Sequence, residues 1–260
     1  MNRYIILLLL LFRSIYAEDP FEVWTQGYDA LLKMHVSSGS AHGIESALVD
    51  YKSLRKDAGL RHLMRDLAYL PSPSTLPEKA QLALWINAYN CICLKLVADH
   101  PEICSINDLD GLMRTIWSKK IAIVAHKKYS LNDIEHGIIR KVFNEPRALF
   151  ALCAATLSAP DLSQEAYVAE RLDGQLDLAL QRFASNPTKG VKLSQDTLTI
   201  SPLFQWYAVD FPPNPPEWLM QHRVIPLMHI AQENMKTAGG EYRFLRYFEY
   251  NWLLNAKYDK

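Results

Sequence analysis

Two adjacent ionisable residues, Glu135 and His136, could perform acid–base chemistry or bind a ligand. At 100° per residue, the helix predicted for this segment has an apolar arc, which is formed by Leu131, Ile134, Ile138, Ile139 and Val142. Glu135 falls inside this arc and His136 lies at its edge. A carboxylate that faces the core must be paired, hydrogen-bonded or protonated. Either Glu135 forms an ion pair with Arg147 that joins two segments, or it is a binding-site carboxylate.

A pair of asparagines forms the second group of candidate binding residues. Asn87 and Asn90 lie one turn apart beside the apolar stripe of another predicted helix. Their amides either hold neighbouring backbone groups in place or face a ligand cleft. Two aromatic residues flank Asn87 and two more lie further along the chain, namely Trp85, Tyr89, Trp206 and Tyr207. Their helical spacing favours core positions over a platform on which a ligand stacks.

Four cysteines could supply a nucleophile or a disulfide bridge, namely Cys91, Cys93, Cys104 and Cys153. Four cysteines allow three pairings, and the sequence does not choose among them. Either one bridge forms, such as Cys93 to Cys104, or the cysteines are buried free thiols. Catalysis needs a thiolate, but the apolar run around Cys153 predicts a raised pKa. We therefore predict a structural role for Cys153, with a migrated catalytic thiol as the alternative.

Several other classes of site lack their motifs. The chain has 28 Lys and Arg against 28 Asp and Glu, so no excess of positive charge favours nucleic-acid binding. Its eight histidines are scattered, and no His-Glu-x-x-His or Cys-x-x-Cys spacing occurs. A Gly-rich phosphate loop and a Gly-x-Ser-x-Gly elbow are also missing from the sequence. The sequence predicts neither a metal site nor a cofactor.

The N-terminal residues predict export. Met1-Asn2-Arg3 carries a positive charge, Tyr4–Phe12 is apolar, and Ala17 is a small residue before Glu18. These are the parts of a secretory signal peptide, which we assign to residues 1–17. The apolar run is shorter than the roughly 20 residues that span a bilayer. We expect a periplasmic or secreted protein without stable membrane insertion after cleavage, and the alternative is an uncleaved anchor or a buried first helix.

Residues 18–260 are predicted to form one helix-rich α+β domain with a small antiparallel sheet. Asp19-Pro20 is typical of a helix start, and Ser37–Ser40 is expected to end that helix. Another helix is expected between Pro77-Glu78 and His100-Pro101. Further predicted elements are a strand at Ile121–Ala125, a helix from Leu131 to about Phe143 that Ser130 caps, an amphipathic helix with its apolar side from Tyr167 to Phe183, a hairpin over Lys192–Ile200, and a rigid connector at Phe211–Pro216.

Six segments in order resemble motifs of the domain-of-unknown-function 547 family. They are Val49-Asp50-Tyr51, Leu84–Asn90, Ser130–His136 followed by Arg140, Pro146-Arg147, Phe204–Phe211 and Tyr250–Asn255. The resemblance covers residues 49–255. It implies an architecture similar to that of papain-like and transglutaminase-like thiol hydrolases, with a Cys-His-Glu site.

The chain departs from the family pattern at the positions expected to react. After Pro-Arg, the family has a His two residues on, a Cys seven residues on and a second Cys before a Pro. Here these positions are Leu149, Ala154 and Ala159. Of the polar set, Glu135 and His136 are retained, so the resemblance does not supply a nucleophile.

These residues support two hypotheses about function. The first is a non-catalytic relative of a thiol hydrolase that binds a peptide, a glycan or an envelope protein, with Asn87, Asn90, Glu135, His136 and Arg147 as the candidate binding residues. The alternative is a hydrolase or acyltransferase that uses Glu135 and His136 with an unidentified nucleophile or with Cys153. A cleft filled by Leu149 would favour the first hypothesis, and an open cleft with a hydroxyl or thiol would favour the second.

Overall fold

A computed structural model describes residues 18–112, 115–194, 197–222 and 244–257. The predicted signal peptide and the turn at Gln195-Asp196 lie outside these ranges.

Helices and small sheets alternate along the described chain. The helices are α1 (Pro20–His35), α2 (Tyr51–Leu54), α3 (Ala58–Tyr69), α4 (Glu78–Asp99), α5 (Leu131–Ile134), α6 (Arg140–Phe143), α7 (Leu172–Ala184), α8 (Leu203–Trp206) and α9 (Pro215–Gln221). The strands are β1 (Val36–Ala41), β2 (Ile44–Val49), β3 (Ala122–Val124), β4 (Lys127–Tyr129), β5 (Val191–Ser194), β6 (Thr197–Ile200) and β7 (Phe244–Tyr247). This arrangement confirms the predicted helix-rich α+β class with small antiparallel sheets.

Helix α1 begins as the sequence predicts but ends in a strand. Asp19 caps it by accepting a hydrogen bond from the backbone N–H of Phe21 at 2.9 Å. The Ser/Gly stretch after it does not simply end the helix, because it forms β1 and pairs antiparallel with β2. The two-residue turn between them has positive φ at His42 and Gly43, 51° and 76°, as type I′ hairpins require. Serine-rich β1 lacks the β-branched pattern by which strands are recognised.

Helix α4 is the centre of the larger hydrophobic core. It has the length and composition of a membrane span, and 83% of its apolar window is buried inside the protein. Such burial is also typical of the central helix of a globular domain. Among the described residues, this is the one helix that meets those criteria. The core around it receives side chains from α1, α3 and α5.

The helix that carries Glu135 contains an irregular turn. Ser130 and Asp133 form a capping box at its start, and a hydrogen bond from Lys120 lowers the pKa of Asp133 to about 2. A π-helical turn, Glu135–Ile139, then separates α5 from α6. The extra residue in this turn rotates the later side chains away from their positions on a regular helix. Val142, which the regular 100° arc assigns to the core, is therefore exposed.

A second core contains five buried aromatic side chains and lies between α7, β5, β6, α8 and α9. Its buried side chains include Phe150, Phe183, Phe204, Phe211 and Trp218. Phe150 occupies its centre, with ring centroids of four partners between 5.4 and 6.1 Å away. The predicted amphipathic helix begins at Leu172, so Tyr167 precedes it, although Tyr167 is buried.

The residues beyond the proline-rich connector return to the main body. Strand β7 pairs parallel with β6, which pairs antiparallel with β5. Further on, the backbone of Asn255 donates to Ala155 and accepts from Val49. Its side chain accepts from the Tyr51 hydroxyl at 2.9 Å. The chain end therefore joins β2 to the segment that contains Cys153.

Candidate functional site

Glu135 is buried, as predicted, but its partners are two tyrosines. Its Oε1 atom accepts from the Tyr207 hydroxyl at 2.7 Å, and Oε2 accepts from the Tyr89 hydroxyl at 3.2 Å. Burial and then the charge of Glu135 raise the pKa of both hydroxyls above the usual range. Both tyrosines therefore remain protonated donors, and the carboxylate is held between them.

The predicted ion pair between Glu135 and Arg147 is wrong. Arg147 instead binds Glu145 through two nitrogens, at 2.8 and 2.5 Å, and Asp177 at 2.7 Å. These three residues are close because Pro146–Ala151 forms a 3-10 segment that packs beside α7. The guanidinium, whose pKa is raised mainly by the Glu145 carboxylate, joins this segment to α7. Its side-chain nitrogens therefore donate to carboxylates of this chain.

His136 and Arg140 extend the polar group toward solvent. His136 Nδ1 lies 3.7 Å from Glu135 Oε1 and 2.8 Å from Arg140 Nη1. A guanidinium can only donate, so Nδ1 is the acceptor and the ring proton resides on Nε2. Arg140 also pairs with Asp210 at 2.6 Å and lies 4.7 Å from the centroid of the Tyr207 ring. The charge-assisted contacts of Arg140 therefore order both His136 and Tyr207.

The two candidate asparagines hold backbone groups, which is the first of the two alternatives. Asn87 donates to the carbonyl of Tyr167 at 2.8 Å and accepts from its N–H at 2.9 Å. Asn90 donates to the carbonyl of Ala151 and accepts from the N–H of Cys153, both at 2.8 Å. Both side chains are buried. The amides satisfy backbone groups of the loop at Tyr167 and of the chain at and just after the end of the 3-10 segment Pro146–Ala151, as buried backbone requires.

All four cysteines are free thiols, so the structure has no Cys93–Cys104 bridge. Cys104 is exposed, whereas Cys91, Cys93 and Cys153 are buried. Cys153 is 4% exposed, and burial raises the pKa of its thiol to about 11. Its sulfur lies 3.6 Å from the Asn255 amide nitrogen. The thiol is therefore enclosed by groups that hold the C-terminal segment in place.

The three positions at which the chain departs from the family pattern are mostly covered. Leu149 is buried in the second core beside Phe150, and Ala159 is also buried. Ala154 is half-buried, and the next residue, Ala155, has a positive φ of 57°. A non-glycine residue in this conformation is uncommon. The region therefore has an unusual backbone turn, and it presents methyl groups where the family pattern has thiols.

Three aromatic side chains form a surface that the sequence analysis missed. Trp206, expected in the core, is 47% exposed, and Trp252 is 38% exposed. The rings of Trp206, Tyr250 and Trp252 contact one another, and we call these three residues the aromatic platform. The Tyr250 hydroxyl lies 2.8 Å from Thr156 Oγ1. Forty-odd residues separate Trp206 from the other two, so no local pattern predicts their contact.

A buried lysine lies at the centre of a second polar cluster, which the sequence did not predict. Lys189 is 1% exposed. Its ammonium donates to Asp161 at 2.7 Å, to Ser46 at 2.9 Å and to the Leu157 carbonyl at 3.2 Å. A Ser–Lys pair can be catalytic, but here the lysine is also paired with the Asp161 carboxylate. The cluster therefore joins β2 to the segment that follows Cys153.

Within the described ranges, no three or more His, Cys, Asp or Glu side chains lie close enough together to hold a metal ion.

The comparisons with known proteins identify one family. Residues 73–184 match the model of the family described as "Protein of unknown function, DUF547". The matched interval contains α4, the Glu135 helix and Cys153, and it ends before Trp206. No curated protein and no solved structure matches the chain.

Proposed function

We propose that this chain, which belongs to the DUF547 family, is a non-catalytic binding protein. One observation carries the proposal, namely the enclosure of Cys153. Its thiol is buried and its pKa is raised to about 11. The thiolate fraction at neutral pH is then on the order of one in ten thousand. Leu149 and Ala154 occupy the positions where the family pattern has a base and a nucleophile.

The polar group around Glu135 suits binding. Both of its carboxylate oxygens accept from tyrosine hydroxyls, so the charge is fixed in direction before any ligand arrives. Each carboxylate oxygen can accept a second hydrogen bond. Preorganised polar groups beside an exposed surface reduce the ordering cost of binding. His136 and Arg140 add donors at the solvent side of the same group.

The alternative is a hydrolase or acyltransferase that uses Glu135 and His136. The 3.7 Å separation of His136 Nδ1 from Glu135 Oε1 favours it, because a carboxylate can orient a catalytic histidine. Two features oppose it. The Nδ1 atom already accepts from Arg140, and a buried Cys153 supplies almost no thiolate.

A count of reactive thiols tests the proposal. With a thiol-specific chromogenic disulfide reagent, the folded protein is expected to react at one thiol, Cys104, because the other three are buried. In guanidinium, all four should react. Peptide mass spectrometry of a maleimide-labelled sample identifies the site. A Cys93–Cys104 bridge would instead reduce the denatured count to two.

Matched variants sharpen the result. Cys104→Ser should remove the labelling of the folded protein, and Cys153→Ser should leave it unchanged. Rapid labelling of folded Cys153, lost in His136→Ala, would contradict the non-catalytic proposal. It would make Cys153 and His136 a working pair.

The proposal also places the mature protein outside the cytoplasm. The charged start and apolar run of residues 1–17 support export. After expression in a secreting bacterial host, N-terminal sequencing of the exported form should begin at Glu18. Leu8→Arg, which interrupts the apolar run, should block export. An intact Met1 on a membrane-bound product would contradict cleavage.

A further inference from the structure

The aromatic platform has an arrangement that leaves ring surface available. The Trp206 and Trp252 rings are 5.9 Å apart and nearly parallel, at 21°. Tyr250 packs against both, with centroid distances of 4.9 Å to Trp206 and 4.5 Å to Trp252. Both tryptophans remain exposed despite these contacts. Large exposed aromatic side chains in contact with one another mark an interaction site more often than isolated ones do.

The platform is rigid because its supports are hydrogen-bonded. Tyr250 is fixed through its hydroxyl to Thr156 at 2.8 Å. On either side of Trp252, the Asn251 N–H donates to Ser158 Oγ, and Leu254 bridges to Thr156. Trp206 ends α8, whose Phe204 is buried in the second core. Rings held in this way lose little conformational entropy when a ligand binds.

Polar groups lie beside the rings. Tyr207, the neighbour of Trp206 in the chain, donates to Glu135. The Tyr207 oxygen can also accept from a ligand hydroxyl while it donates to Glu135. Acceptors fixed beside an apolar surface are the elements that orient a small ligand.

We propose that the aromatic platform binds a carbohydrate, an inference that rests on the proposed binding function. A pyranose with equatorial hydroxyls has flat C–H faces that suit an indole ring and hydroxyl edges that donate to a carboxylate or phenol oxygen. This ligand class uses both halves of the site. Insertion into a membrane would bury the neighbouring Glu135 and Asp210 charges more deeply, at a large desolvation cost. The proposed occupant is therefore an oligosaccharide of pyranoses with equatorial hydroxyls.

The test uses the full folded chain with two defined probes, cellohexaose and chitohexaose. Titration with at least one of them should change the tryptophan fluorescence in a saturable way, with the affinity confirmed by calorimetry. Trp206→Ala and Trp252→Ala should each weaken binding about 10-fold, because loss of one stacking contact is expected to cost about 1.4 kcal/mol. Tyr69→Ala, which removes an exposed aromatic side chain of α3, is the matched control and should not change the affinity.

A second measurement does not depend on the variants folding. Saturation transfer from the indole protons of the wild-type protein to the sugar C–H protons should be observed. No saturable response to either probe at millimolar concentration would overturn the carbohydrate inference, and so would unchanged affinity in both tryptophan variants. Binding to phosphatidylglycerol vesicles that both variants abolish would make the platform a membrane site instead.

The carbohydrate inference and the non-catalytic proposal can fail independently of each other. Absence of sugar binding leaves the thiol count to decide whether the protein is catalytic. Cleavage of a bound oligosaccharide would overturn the non-catalytic proposal while the binding inference remained correct.

Discussion

Asp161→Ala is expected to lower the free energy of unfolding by about 3–5 kcal/mol, because it leaves the Lys189 ammonium buried without its counter-charge. Lys189 has three acceptors, and Asp161, at 2.7 Å, is the charged one. The same carboxylate accepts from Ser46 Oγ at 3.2 Å and from the backbone N–H of Ala47 at 3.0 Å. Its removal therefore disturbs β2 as well as the ion pair.

The double variant Asp161→Ala/Lys189→Met separates the stranded charge from the other losses. Replacement of a whole buried pair by apolar groups is often close to neutral, so the double variant should be more stable than Asp161→Ala alone. Urea denaturation followed by circular dichroism measures each variant. Arg171→Ala, which breaks the exposed pair with Glu165, is the control and should cost less than about 1 kcal/mol. A loss below about 1 kcal/mol in Asp161→Ala would show that Lys189 is hydrated.

Asn90→Ala is expected to lower the free energy of unfolding by about 3 kcal/mol, because it removes the hydrogen-bond partner of two backbone groups in one buried segment. The Ala151 carbonyl and the Cys153 N–H would each be left unsatisfied, at about 1–3 kcal/mol apiece. The loosened segment contains Cys153, so this thiol should also react faster in the folded variant. Urea denaturation and thiol labelling together measure the two effects.

Two comparisons make this second prediction specific. Asn90→Asp keeps an acceptor for the Cys153 N–H but loses the donor to Ala151 and adds a buried charge, so it should not restore stability. Gln26→Ala, which removes an exposed hydrogen bond to Glu22, should change stability by less than about 0.5 kcal/mol. If Asn90→Ala resembled Gln26→Ala, the amide would not be the support that the hydrogen bonds indicate.

Local signals in the sequence predicted the three longest helices of the described chain, α1, α4 and α7. The start of α1 is encoded by Asp19-Pro20 and that of the Glu135 helix by Ser130, because capping involves residues within one turn of each other. Helix α4 was predicted over nearly its observed length from its apolar spacing. Strand β1 was missed, since its Ser/Gly composition becomes a strand only through pairing with β2.

The burial of Glu135 and the apolar surroundings of Cys153 could be read from the sequence, because both depend on neighbours within a few positions. The contacts that these residues make depend on tertiary packing. Tyr89 and Tyr207, the partners of Glu135, lie 46 and 72 residues away. Arg147 binds Asp177 of α7 and not Glu135. Long-range packing likewise brought Trp206 beside Tyr250 and buried Lys189 with Asp161. Side-chain type alone predicts the opposite exposure for Trp206 and Lys189, so these positions depend on the folded arrangement of the whole chain.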